Sequence, residues 1–83
     1  MPTVAIVEGA KIQFFPQEHP PPHFHVVFAE HRAQIGIQPL RVLKGSLPPA
    51  KLAVVLSWAE PRQQALMNAW YTTLAKRKPE KIQ

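Results

Sequence analysis

The stretch His23-Phe24-His25-Val26-Val27-Phe28-Ala29-Glu30-His31-Arg32-Ala33-Gln34-Ile35-Gly36-Ile37 decides the fold. Successive side chains of a strand point to opposite faces. A hairpin with a two-residue loop at Glu30-His31 sets Phe28 against Ala33, Val26 against Ile35 and Phe24 against Ile37. All three pairs are apolar and share one face. The other face receives His23, His25 and Val27 opposite Gln38, Gly36 and Gln34. A slip by one residue would turn the whole apolar set to solvent, so the faces are strongly specified. A four-residue loop preserves the same register. The turn lacks the Gly or Asn that a tight hairpin favours.

Outward from this hairpin, Thr3–Val7 and Lys11–Phe15 read as strands around a three-residue loop, Glu8-Gly9-Ala10. Alternation puts Val4 with Ile6 on one face, and Ile12 with Phe14 on one face. Gln38-Pro39-Leu40 turns the chain, and Arg41–Lys44 is a candidate fifth strand. From Gly45 the period changes. Pro48-Pro49 is a helix-start signal, Pro49 suiting the first helical position. Leu52, Val55, Leu56 and Ala59 then follow a helical stripe. Pro61 stops or kinks that helix and can open the next, whose stripe is Leu66, Ala69, Trp70, Thr73 and Leu74. The expected fold is α+β and two-layered. It has an antiparallel sheet of four to five strands followed by a C-terminal pair of helices. Residues 1–75 form a single domain, and 76–83 a basic, flexible tail.

At 83 residues one core is expected, burying only about 60–65% of the unfolded chain's surface. Stability on the order of 5 kcal/mol leaves room for a partner or a homodimer to matter. The absence of cysteine excludes disulfides and thiolate metal sites. Met1-Pro2-Thr3-Val4 has no basic leader region, and no apolar run approaches the ~20 residues of a membrane span. The expected location is therefore cytoplasmic, with no membrane partner. The formal net charge is +5, and much of it comes from Lys76, Arg77, Lys78 and Lys81 near the end. Of these, Lys76, Arg77 and Lys78, with Arg32, Arg41 and Lys44, are candidate contacts for nucleic acid or a protein partner.

The polar constellation is Glu18-His19-Pro20-Pro21-Pro22-His23-Phe24-His25. In a strand His23 and His25 point the same way, and neighbouring imidazoles suit a transition metal. His19, or Glu18 in its place, is the candidate third ligand, held by the stiff proline run. His31 is kept out, because six extended residues span roughly 20 Å. The same segment also reads as polar surface, as a partner-contact patch, or as an acid–base pair of a metal-independent ribonuclease. In that last case Arg41 or Lys44 would stabilise the charge. Other chemistries lack their residues: there is no Gly-rich phosphate loop, no aspartate and no nucleophile elbow. The sequence assigns no catalytic residue and leans away from an enzyme.

Met1-Pro2-Thr3-Val4, Glu18-His19 with Pro21-Pro22-His23-Phe24-His25, Leu43-Lys44-Gly45-Ser46-Leu47-Pro48, Trp58-Ala59-Glu60, Trp70 and Lys81-Ile82 together resemble one family. It comprises short bacterial proteins catalogued as domain of unknown function 4160. The resemblance spans nearly the whole chain and implies a cytoplasmic bacterial protein. Members are often encoded beside a second small domain, which implies a protein partner and a regulatory or toxin–antitoxin-like pair. The family motif points to His19, His23 and His25 without assigning them a role. Glu18 stands where the family usually has Asp, Lys44 where it often has Glu, and Pro61 interrupts a commonly continuous helical pattern.

Overall fold

The computed structural model describes residues 3–83; Met1 and Pro2 lie outside it. Five strands run in sequence order across one antiparallel sheet. They are β1 (Thr3–Val7), β2 (Ala10–Gln13), β3 (His23–Phe28), β4 (His31–Ile37) and β5 (Leu40–Gly45). Helices α1 (Pro49–Ala59) and α2 (Gln63–Leu74) follow. A single 3-10 turn, Glu60–Arg62, joins them with Pro61 near its start. Proline tolerates that place because the first turn of a helix has no partner for its amide. No helix among the described residues is long and apolar enough to cross a membrane.

The α+β architecture is the expected one, and the central apolar face is as read. Phe24, Val26, Ala33, Ile35 and Ile37 are buried. They pack with Val55, Ala59, Leu66, Ala69 and Trp70 of the two helices. Of the second predicted stripe, only Leu74 lies exposed. Each fully buried large apolar side chain contributes about 1.5–3 kcal/mol, so this row holds the sheet faces in place.

The hairpin register differs from the expectation by two residues. The loop is Ala29-Glu30; Phe24 lies opposite Ile35, Val26 opposite Ala33 and Phe28 opposite His31. The next turn explains the shift. Gln38 leaves the ladder for the turn before Leu40, which pairs with Ile37, so Gln38 cannot face His23. Gly36 faces it instead, and the Ile37 amide donates to the Pro22 carbonyl at 3.1 Å. A two-residue slip preserves every face, which is why the apolar pattern did not distinguish the registers.

Two expectations at the N-terminal hairpin are corrected. The loop is Glu8-Gly9, not three residues, because Val7 pairs with Ala10. Both loop residues have positive φ, +46° and +86°, the geometry of a type I′ turn. Val4 and Ile6 do not share a face. A register shift between Thr3 and Ala5 inserts Val4 as an extra residue, the mark of a β-bulge. Val4 and Val7 are buried, whereas Ile6 is 66% exposed. Since Asn tolerates positive φ better than Glu, Glu8→Asn should stabilise the domain by about 0.5–1 kcal/mol. Urea unfolding checks this; an unchanged or lower midpoint would contradict the turn assignment.

In the segment expected as a basic tail, Pro79 is buried and Ile82 packs against the core. The Ile82 amide donates to the Val4 carbonyl at 2.7 Å. Lys81 Nζ donates to the Thr3 carbonyl at 2.9 Å, and Arg62 Nε donates to the Gln83 carbonyl. Part of β1 is thus backed by the chain's own C-terminal segment.

Candidate metal centre

The site begins with the connection between β2 and β3. Pro16-Gln17 turns the chain, with Gln17 at φ +65°, and the proline run carries it to the start of β3. This path returns Glu18 to the outer sheet face, the one away from Phe24 and Val26. There His25 stands, and His23, two residues before it at the first position of β3, lies where the end of the sheet meets Trp70 of α2.

His23 is 6% exposed. Its Nδ1 lies 2.8 Å from the Pro21 carbonyl oxygen. A carbonyl can only accept, so Nδ1 carries a proton, and in the neutral ring Nε2 then presents a lone pair. That Nε2 is buried without a hydrogen-bond partner. Its nearest polar neighbour in the cluster is Glu18 Oε1 at 3.6 Å. The ring cannot readily swing away, since its centroid is 5.1 Å from that of Trp70 and 5.3 Å from that of His25. His25 is held in turn by Phe15, edge to face at 4.4 Å, and its Nε2 bonds to Glu18 Oε1.

Burial raises the Glu18 pKa. The hydrogen bond from His25 and the attraction of either imidazole when protonated outweigh that effect and hold the carboxyl below its ordinary value. A depressed carboxyl stabilises the fold above its unfolded pKa, and that contribution is lost as pH falls through the lowered folded value.

One ligand atom each from Glu18, His23 and His25 lie within 4.8 Å of one another. Ligands about 2.1 Å from a tetrahedral zinc stand about 3.4 Å apart; His23 Nε2 and Glu18 Oε1, at 3.6 Å, are already near that spacing, and the hydrogen-bonded His25–Glu18 pair would open to admit the ion. The donation from Nδ1 to a backbone carbonyl is the outer-shell contact that metal-bound histidines usually make.

The sequence-predicted residues divide. His23 and His25 come together. Glu18 takes the third place, and His19 is exposed, outside the cluster. His31 stands at the far end of the hairpin, 3.7 Å from Glu30. Arg32 and Lys44 line a groove on the outer face, and Arg41 pairs with Gly36 farther along β5. Arg77 and Lys78 line a different groove, and Lys76 is exposed where the chain leaves α2. Two supporting residues escaped the sequence reading, Phe15 and Trp70. Trp70 belongs to the predicted stripe of the second helix and is buried with it, but nothing in its helical spacing shows that its ring also abuts His23.

The family model described as "Domain of unknown function (DUF4160)" matches residues 9–71, most of the chain, and the chain belongs to that family. No curated protein and no solved structure matches it.

Proposed function

We propose that this chain, as a member of the DUF4160 family, binds a divalent transition metal through Glu18, His23 and His25. The observation that carries this is the buried, unpartnered Nε2 of His23, aimed at a carboxylate and a second imidazole. Leaving a buried polar atom without a partner costs about 1–3 kcal/mol, and a metal ion would remove that cost. Two imidazoles and a carboxylate suit Zn²⁺ and its neighbours. Three protein ligands leave a coordination position for water or a further ligand, as catalytic rather than purely structural sites do.

NMR titration with Zn²⁺ tests the reading. His23 and His25 should shift together to a one-to-one endpoint while His19 and His31 stay in place. Glu18→Gln and His23→Ala should each weaken binding by more than the ~10–100-fold that outer-shell losses cost. His19→Ala should not. Equal shifts of all four histidines, or undiminished affinity in both ligand variants, would overturn it.

A second reading has its own observation. β5 pairs with β4 on one side only among the described residues, whereas β1 is backed by the C-terminal segment. An extended partner segment could add to the free β5 edge, beside Arg41 and Lys44. This is the form in which a protein-partner or regulatory, toxin–antitoxin-like role, in the bacterial cytoplasm, fits the fold. Co-purification with the product of a neighbouring gene tests it; a Pro substitution at Val42 should break the complex, and its survival would count against this edge.

A further inference from the structure

The metal reading leaves most of the outer sheet face unused. Register lays two rows across it: Gln13, His25, Gln34 and Lys44 stand abreast, and beside them Lys11, Val27 and Arg32. These rows border a groove of about 520 Å³, which Phe15 also lines. Lys11, Arg32 and Lys44 all line it, and no carboxylate does. Among the described residues, none of the three has an ion-pair partner. Cations set along one face without counter-charges leave a positive field there, and an anionic chain relieves it.

We infer that this groove binds single-stranded nucleic acid. Lys11 and Arg32 stand two strands apart, about 10 Å at the usual strand spacing, and Lys44 lies one strand beyond Arg32. One compact anion cannot readily meet charges so spread; a chain whose charge repeats along its length can. Between the cations, Gln13 and Gln34 flank His25 in register; the Gln13 amide nitrogen already donates to Thr3 Oγ1 at 3.1 Å, which leaves its oxygen and second N–H, with the whole Gln34 amide, as acceptors and donors. Phe15 adds an aromatic edge. Amides and an aromatic ring together match nucleobases; an acidic peptide could pair with the amides through its backbone but brings no base to set against the ring. A double helix would present phosphates to the cations but keep its bases from the sheet.

The groove adjoins the proposed metal centre through His25, so a bound strand would run past that centre. Binding itself does not depend on the metal, and the test is therefore run in EDTA. Fluorescence anisotropy of a short labelled oligouridine against the full chain should show binding that weakens steeply with salt. Lys11→Gln with Lys44→Gln should lower the slope of log K against log salt by about 1.4, from about 0.7 per phosphate contact. Lys76→Gln with Lys78→Gln removes equal charge elsewhere and should leave affinity within about twofold, on the footing that contacts act locally. Phe15→Leu should weaken binding without changing the slope. Equal losses from both lysine pairs would overturn the proposal in favour of unspecific attraction. So would displacement by polyglutamate as effective as by unlabelled oligouridine, or tighter binding of duplex than of single strand. Failure of the EDTA-free chain to take up zinc in the NMR titration, with oligouridine binding intact, would sink the metal reading alone.

Discussion

Trp70→Ala should destabilise the domain by about 3–5 kcal/mol and remove zinc binding at the same time. Trp70 is 3% exposed in the shared core, so truncation leaves a cavity beneath the sheet. In a domain with on the order of 5 kcal/mol to spare, most of the margin disappears. The second effect is specific to this fold, because the lost ring is also the wall against His23. Trp70→Phe separates the two. It restores much of the apolar volume and keeps an aromatic ring, so it should refold the chain and recover zinc binding in large part. Urea unfolding and a zinc titration on both variants provide the check. A Trp70→Ala protein that melts within a few degrees of the parent would refute the packing account.

Gly45→Ala should be nearly as damaging, about 3 kcal/mol or more. Gly45 closes β5 opposite Ala33 with φ +78°. An added Cβ would sit well inside contact distance of the Arg32 carbonyl oxygen and 3.1 Å from Ala33 Cα. Both obstacles are backbone, so neither can rotate aside. Gly9→Ala is the matched comparison. Gly9 has a similar φ of +86°, but its added Cβ would meet only the Phe28 ring at 3.6 Å. It should cost only the torsional part, about 1–2 kcal/mol. The difference between the two variants, read from urea midpoints, measures the clash. Equal losses would mean that β5 moves away from β4 without cost.

The candidate site was half legible. His23 and His25 could be placed side by side because a strand has a period of two, whatever its register. The third ligand could not be chosen. Glu18 and His19 are adjacent, and both precede the same prolines, so spacing does not separate them. The left-handed backbone at Gln17 and the path of the loop bring one to the pair and leave the other in solvent. The unpartnered Nε2 was equally hidden, since it depends on the Pro21 carbonyl taking the other ring nitrogen.

By itself the sequence determined the α+β class, the order of elements, and which residues of β3 and β4 face the helices. These follow from periodicity and burial, which act on every residue and tolerate local error. Only the tertiary structure decided the hairpin register, the bulge at Val4, the packed C-terminal residues and the membership of the Glu18 cluster. Each of these turns on a few backbone angles or on contacts between distant segments. A two-residue slip leaves the apolar pattern unchanged, and a bulge depends on what the neighbouring strand can pair with. The physical reason is one of range: patterns along the chain report which side a residue takes, and the partner it meets there is set by the closing of the whole fold.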